Sequence, residues 1–252
     1  MAAQLKYKFY ATLLDAYFNY LQSDELWERY WGWSDNPPHT PEEYRAKLFA
    51  ELIDRINRKP FDSEEADRGT AFNELVDALI EHRKPAGMEV LRNDDQTRYE
   101  VIFRGNVFSF PISLCLRMAG YYKGALTQVR VEAPIDTAYG QVLVYGLIDE
   151  LMPASVHDIK TTGSYQVGKF RHHHQHLVYP YALMQMGNDV RTFEYNVVEF
   201  GRGDSVAGIY TETYVFQPER DIPVLRDHCE QFVRFVEENR HLITDKKIFG
   251  GE

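Results

Sequence analysis

Hydrophobic residues recur at helical spacing through most of the first third of the chain. Within 48–56 and 72–80 they return every three or four positions, which is the period of a helix with one apolar face. Upstream of the first stretch, the segment 40–43 reads Thr-Pro-Glu-Glu. A threonine that caps, a proline at the first helical position and acids at the positive end of the helix are all start signals. Residues 1–84 are therefore predicted to be mostly helical.

Beyond Gly87 the pattern changes to short stretches rich in β-formers, separated by turn residues. They predict strands over 88–92, 98–103, 106–111, 126–135, 141–151, 155–160, 191–200 and 208–216. Helical spacing returns over 112–123, 170–187 and 219–241. Helices followed by strands with further helices between them predict an α/β or α+β fold. We expect a central mixed β-sheet flanked by helices, with a helical N-terminal part.

A single domain is predicted for residues 1–252. At a typical ~150 residues per domain, the chain length allows one or two domains. No flexible or low-complexity stretch separates the helical part from the sheet. The expected organisation is an N-terminal helical layer over 1–84, a sheet core over 85–218 and a C-terminal helix within 219–252.

Composition narrows the class of protein. Hydrophobic residues make up 44% of the chain and charged residues 26%, which excludes a wholly disordered protein. The 28 basic and 38 acidic residues give a net charge of −10, which argues against nucleic-acid binding through a broad positive surface. Two cysteines are too few for a disulfide framework or a four-thiolate cluster. The amphipathic N-terminus resembles neither a signal peptide nor a membrane span, so we expect a cytoplasmic protein.

Two acidic residues are predicted to converge at the end of a hairpin within 146–162. Asp149 lies on the first strand, and Asp158 shares a face of the second strand with Lys160, on the other side of a turn at Pro153. Carboxylates that approach each other repel unless a cation lies between them, and Mg²⁺ prefers oxygen ligands. A lysine beside that ion can stabilise charge on a phosphoryl group. The spacing indicates metal-assisted phosphodiester hydrolysis, and a solvated charged hairpin tip is the alternative.

The next predicted helix carries two polar residues on one face. Gln175 and Tyr179 lie four positions apart, which places them one above the other. Pro180 is expected to kink or restart the helix there. The run 172–174 consists of three histidines, but three adjacent side chains on a helix point in different directions, so a zinc site is not expected.

Together these residues resemble the PD-(D/E)XK nuclease superfamily, and within it the RecB-like, phage-type exonucleases. The family orders three short motifs in the way found here: Gly-x-x-Asp at 146–149, Asp-x-Lys at 158–160 and Gln-x-x-x-Tyr at 175–179. The order of predicted elements extends the likeness over about 68–200. The resemblance implies a restriction-endonuclease-like core and a DNA nuclease that depends on Mg²⁺ or Mn²⁺. It implies an exonuclease acting in DNA recombination, repair or end processing.

The resemblance also implies a role for each matching residue. Asp149 and Asp158 would bind the metal ion, with the carbonyl of Ile159 as a further ligand. Lys160 would position or activate the attacking water. Two residues of the following helix would orient the DNA strand and the lysine: Gln175 and Tyr179.

An upstream helix in this family supplies another acid and often a histidine, and the counterpart here is segment 68–74. Asn73 stands where family members commonly carry histidine, which lowers the expectation of a strong Mn²⁺ site. Glu74 would supply the acid as a further catalytic residue and metal ligand, unless it is simply an exposed helix carboxylate. Three candidates of lower rank are Asn73 itself, Glu132 on a neighbouring strand and His172.

What the sequence lacks bears on the kind of nuclease. There is no phosphate-binding Gly-x-x-x-x-Gly-Lys-Ser/Thr loop, and the cysteines of an iron–sulfur cluster are absent. By analogy, we expect a stand-alone enzyme of phage type that acts on DNA in the host cytoplasm, with a single-strand annealing or recombination protein as a possible partner. Two alternatives stay open: a catalytically inactive DNA-binding or assembly protein on the same fold, and an unrelated soluble enzyme whose hairpin matches by chance.

Overall fold

A computed structural model describes residues 5–250, which form two β-sheets and seven α-helices. The strands are β1 (Leu5–Tyr10), β2 (Glu89–Arg92), β3 (Arg98–Phe103), β4 (Asn106–Pro111), β5 (Leu126–Thr137), β6 (Gly140–Leu151), β7 (Ser155–Thr162), β8 (Thr192–Phe200) and β9 (Val206–Val215). The helices are α1 (Ala11–Leu21), α2 (Ser23–Trp31), α3 (Pro41–Ile56), α4 (Glu64–Ile80), α5 (Ile112–Tyr121), α6 (Gln175–Gln185) and α7 (Pro218–Glu238). Within this described part, no helix has both the length and the apolar character needed to cross a membrane.

The larger sheet contains six strands and is mixed. β5 pairs antiparallel with β6 along almost its whole length. Beyond β6, the sheet continues through β7, then β8 in parallel and β9 in antiparallel orientation. The mixed central sheet flanked by helices confirms the predicted α/β class.

The second edge of β6 is shared by two strands and has an opening between them. β1 pairs in parallel with β6 as far as Tyr145, and β7 pairs with it only at Glu150 and Leu151. Because β5 occupies the opposite edge, β1 and β7 lie on the same side of β6. Residues Gly146–Asp149 therefore have no partner strand there, and we call this stretch the β6 gap.

The smaller sheet is an antiparallel meander of β2, β3 and β4. Arg104 and Gly105 join the last two strands, and both have positive φ angles, of 49° and 84°. A two-residue turn of this kind matches the right-handed twist of the strands it connects. The chain thus places 89–111 outside the central sheet, beside α4 and α5.

Two hydrophobic cores cover the faces of the central sheet. The first packs α1, α6 and α7 around β1 and β6, with Phe9 and Phe232 fully buried and their ring centroids 4.6 Å apart. The second packs α4, α5 and β4 against β7 and β8, with Phe72 and Phe110 in edge-on contact at 5.1 Å. Helices from 1–84 contribute to both cores, and the predicted division of the chain into layers stays a prediction. The single-domain organisation stays a prediction.

One strand, β1, was not predicted and lies inside the stretch predicted to be mostly helical, which otherwise contains α1 to α4. Tyr7 and Phe9 are buried and alternate with Lys6 and Lys8, which is the period of a strand. The strand is only six residues long and α1 begins at the next residue. Its alternation therefore merges into the helical pattern that follows.

Most other predicted elements are confirmed to within a few residues. α6 is shorter than the predicted 170–187, because the residues before Gln175 form turns and the backbone N–H of His174 donates to Asp15 of α1 at 2.6 Å. The helix continues through Pro180 instead of restarting there. Both cysteines are buried and free, as expected for small core residues.

Candidate active site

The β6 gap brings three elements together at one carboxylate. Oδ2 of Asp149 accepts a hydrogen bond from the backbone N–H of Ile159 on β7 at 3.2 Å. The same oxygen accepts one from Nδ2 of Asn73 on α4, also at 3.2 Å. Asp149 thus fills the space that opens where β6 and β7 diverge, and it is held from two sides.

Lys160 lies next to Asp158 and is fixed by Gln175. Its Nζ atom lies 2.6 Å from Oδ2 of Asp158 and donates to Oε1 of Gln175 at 2.8 Å. The side-chain amide of Gln175 donates in turn to Oδ1 of Asp158. The three side chains therefore close a ring of polar contacts, and the lysine cannot change orientation without breaking it.

Tyr179 extends this ring toward β6. Its hydroxyl group accepts from Nε2 of Gln175 at 3.3 Å. Its aromatic ring lies against Gly146 so closely that a Cβ atom on this residue would lie 2.9 Å from the tyrosine oxygen and nearer still to a ring carbon. Such contacts are too short for real atoms, so the position in the β6 gap under Tyr179 requires glycine.

The electrostatics of the site are those of acids crowded in a buried place. Burial and the neighbouring Asp158 raise the pKa of Asp149 to about 8. Burial by itself lowers the pKa of Lys160, but the carboxylates of Asp158 and Asp149 outweigh it, so this pKa lies above its ordinary value. Lys160 is consequently cationic at neutral pH, and its Nζ also lies 5.6 Å from the centre of the Tyr195 ring.

The donor set fits a hard divalent cation. Asp158 is 2% exposed, and Oδ1 of Asn73 is buried without a hydrogen-bond partner. The carbonyl of Ile159 is turned toward the gap, where Nδ2 of Asn73 donates to it at 3.5 Å. Across residues 5–250 no three or more His, Cys, Asp or Glu side chains are grouped to hold a metal. A cation at Asp149 and Asp158 would therefore rely on two carboxylates, the carbonyl and water, a set that Mg²⁺ accepts.

The structure does not bring Glu74, the predicted catalytic acid and metal ligand, into this arrangement. Its carboxylate is ion-paired with Arg83, at 3.1 Å from Nη2, and also accepts from the backbone N–H of Ala86. Adjacent residues on a helix point about 100° apart. Since Asn73 faces Asp149, Glu74 faces the loop that follows α4.

Of the three lower-ranked candidate site residues, the structure brings one to Asp149. Asn73 is part of the site through its contact with Asp149. Glu132 is exposed on β5 and ion-paired with Arg130 at 2.8 Å. His172 is exposed and stacks on Phe18 with ring centroids 5.9 Å apart. The structure brings neither Glu132 nor His172 to Asp149 and Asp158.

The three histidines of 172–174 lie around Phe18 and Asp15. His174 is buried, and its Nδ1 lies 2.8 Å from Oδ1 of Asp15, while its Nε2 lies 2.9 Å from Nδ1 of His228. His173 packs edge-on against Phe170 and Tyr195. The run precedes the helix instead of lying on it, and its side chains do not all diverge, since Nδ1 of His173 also lies 3.6 Å from Oδ2 of Asp15.

Two buried acids next to the site were not singled out from the sequence. Glu150 is fully buried, and burial and Asp149 raise its pKa well above the ordinary range. Asp77 lies one helical turn after Asn73, accepts from Nε2 of Gln128 at 2.9 Å, and has a pKa raised to about 6 by burial. The four-residue spacing from Asn73 to Asp77 was the available signal for the second acid.

Comparison with known proteins gives no family assignment. No family model matches the chain, and no curated protein matches it. Among solved structures it is similar to one titled "Crystal structure of SSO0001", with a TM-score of 0.33, 16% identity and coverage of 52% of this chain and 62% of that chain. It is also similar to Scheffersomyces stipitis Rai1, with a TM-score of 0.23, 13% identity and coverage of 79% and 68%. These TM-scores are too low for either likeness to establish a shared fold.

Proposed function

We propose that this chain is a DNA nuclease, dependent on Mg²⁺ or Mn²⁺, that hydrolyses phosphodiester bonds. The observation that carries the proposal is the position of Lys160, held between Asp158 and Gln175 beside the carboxylate of Asp149. A partly buried lysine next to two converging acids suits a reaction in which a cation and an ammonium group share the charge of a phosphoryl group.

Each residue of the site would have its own role in hydrolysis. Asp149, Asp158 and the carbonyl of Ile159 would hold the ion. A divalent cation bound there would supply charge stabilisation at a phosphoryl oxygen and lower the pKa of a water molecule. Lys160 is protonated because its pKa is raised, so it would act as a cationic hydrogen-bond donor to the phosphate or the water, and not as a base. Gln175 would keep the ammonium group in place.

DNA would be held by a small basic area on an acidic protein. The net charge of −10 leaves little general attraction for phosphates. Lys169 and Arg171 lie in the loop between β7 and α6, where Lys169 donates to Oγ1 of Thr162 at 2.6 Å. Few phosphate contacts imply weak binding with a shallow dependence on salt. The proposal extends to an exonuclease in DNA recombination, repair or end processing.

The test is a cleavage assay on matched DNA substrates. The protein is incubated with end-labelled linear DNA and with circular DNA of the same sequence, in Mg²⁺, in Mn²⁺ and in excess chelator. We expect nucleotides to be released from the linear substrate only, and only with a divalent ion. Cleavage of the circle would make the enzyme an endonuclease. DNA binding without cleavage in any metal would instead favour the non-catalytic DNA-binding alternative.

A further inference from the structure

A cavity of about 410 Å³ opens on the edge of β6, next to the site. It lies where β1 ends and before β7 begins to pair, so it includes part of the β6 gap. Its size is within the ~300–1,000 Å³ typical of small-molecule sites. Its principal lining residues are Tyr10, Arg130, Tyr145, Gly146, Leu147 and Tyr179.

Two aromatic rings form one wall of the cavity. Tyr10 and Tyr145 are directly opposite each other in the β1–β6 pairing, and their ring centroids are 5.9 Å apart. Nη2 of Arg58 donates to the hydroxyl group of Tyr145 at 3.0 Å, and Arg58 is itself ion-paired with Asp245. This wall is therefore positioned before any ligand arrives.

The other side of the cavity combines an apolar surface with a cation. Leu147 is 51% exposed although it lies in the middle of a central strand. The side chain of Arg130 is 72% exposed at the rim, with Glu132 as its ion-pair partner. Among the described residues that line the cavity there is no carboxylate and no side-chain amide. The polar side-chain groups of the lining are the guanidinium of Arg130 and the hydroxyls of Thr12 and the tyrosines, and the aromatic rings suit a flat ligand.

Tyr179 connects this cavity to the candidate active site. It lines the cavity and contacts Gln175, which contacts both Asp158 and Lys160. A ligand in the cavity is thus separated from the lysine by only two side chains.

We infer that this cavity binds one nucleobase of the DNA strand that is cleaved, next to the scissile phosphate. The inference rests on the proposed nuclease function and deepens it. Every base has an aromatic face, so stacking against Tyr10 and Tyr145 would be tolerant of sequence. A base can enter only when it has left its partner strand, so the substrate at the site is single-stranded or frayed.

The experiment scans single-stranded oligonucleotides that carry one abasic position, moved stepwise from the cleaved bond. For the wild-type protein we expect kcat/KM to fall about 5- to 150-fold at one position only, because base–aromatic stacking contributes ~1–3 kcal/mol per base. In Tyr145→Ala, intact DNA should already show that loss, and the abasic substrate should lose nothing more. Tyr145→Phe keeps the ring and loses only the hydroxyl group that Arg58 contacts, so the fall in kcat/KM should stay at the same single abasic position.

Each other outcome has a defined meaning. If the wild type cleaves DNA but no abasic position matters, or if Tyr145→Ala keeps the wild-type abasic profile, the base site is wrong and the nuclease function stands. If the wild type cleaves no DNA in Mg²⁺ or Mn²⁺, both proposals fall together. Should Tyr145→Ala not fold, Leu147→Glu at the half-exposed position introduces a charge into the cavity and should remove the same abasic sensitivity.

Discussion

The ring of Tyr179 packs on Gly146, leaving no room for even one methyl group between α6 and the β6 gap. Tyr179 is also the last member of the polar chain that begins at Lys160. We expect Gly146→Ala to push Tyr179 away, to destabilise the fold by about 1–3 kcal/mol, and to lower cleavage more than the loss of stability explains. Urea unfolding and cleavage rates measured side by side would show both effects.

A matched glycine serves as the control for that substitution. Gly120 lies in α5, and a Cβ atom there would meet nothing within 4 Å. Gly120→Ala should therefore leave cleavage unchanged and stabilise the protein by roughly 0.5–1 kcal/mol. If Gly146→Ala proved as harmless as Gly120→Ala, the close packing of Tyr179 would have no part in the site.

The substitution Glu74→Gln tests whether Glu74 is a metal ligand, as the resemblance implies, or only the ion-pair partner of Arg83. We expect Glu74→Gln to keep cleavage and its Mg²⁺ dependence, because this carboxylate pairs with Arg83 and Ala86. The lost ion pair should cost no more than about 1 kcal/mol. Cleavage titrated with Mg²⁺ is the measurement. If Glu74→Gln needed a much higher Mg²⁺ concentration than the wild type for half-maximal cleavage, Glu74 would be a metal ligand after all.

Glu74 also shows which feature of the site a sequence pattern does not determine. The resemblance implies an acid-bearing helix beside the hairpin, and α4 does contact β7 there. Which residue of the helix faces Asp149 depends on the rotation of α4, which is set by Phe72 and Val76 packing in the second core. A shift of one residue turns a helix by about 100°. No spacing within residues 68–74 determines that angle.

The hairpin and α6 were predictable because their residues are close in the chain. Asp158 and Lys160 are two residues apart on a strand, and Gln175 and Tyr179 are one helical turn apart, so local geometry fixes their faces. The β6 gap was not predictable, since it depends on β1 pairing with a strand more than 130 residues away. Its cause is a long-range pairing that local periodicity does not report.

The pH dependence of stability should expose the raised pKa of Asp149. The unfolded carboxyl releases its proton near 3.8, whereas in the folded protein it does so near 8. The folded state binds this proton more tightly, so metal-free stability should fall as the pH rises from about 4 to about 8. Mg²⁺ competes with the proton, so the rise in Tm caused by Mg²⁺ should grow over the same interval.

Asp149→Asn is the control for this measurement. The variant has no proton to lose at that position, so its metal-free stability should vary less with pH, and Mg²⁺ should stabilise it less at every pH. Thermal unfolding with and without Mg²⁺ at several pH values gives both quantities. A Mg²⁺ effect that is the same at all pH values would contradict the link between Asp149 and the cation.

Glu150 is a buried acid to which the proposed mechanism gives no role. Burial and the neighbouring Asp149 raise its pKa well above the ordinary range, which favours the protonated acid in the folded state. Glu150→Gln keeps the shape and the charge of the protonated acid, and we expect the free energy of unfolding at mildly acidic pH to change by no more than about 1 kcal/mol. At higher pH the variant should become more stable than the wild type, because it has no carboxylate to ionise. Urea unfolding of both proteins at the two pH values measures this difference. A wild type that is more stable than Glu150→Gln at the higher pH would contradict the prediction.

The most direct test of the proposed function is the cleavage rate of Lys160→Ala on linear DNA in Mg²⁺. Lys47→Ala is the matched control, because Lys47 lies on α3, about half exposed and 3.9 Å from Glu51. Circular dichroism establishes that both variants are folded. We expect Lys47→Ala to cleave like the wild type, and Lys160→Ala to lose at least about 100- to 1,000-fold in rate, as when one charge-stabilising donor is removed. A folded Lys160→Ala protein that cleaves DNA at the wild-type rate would contradict the proposal.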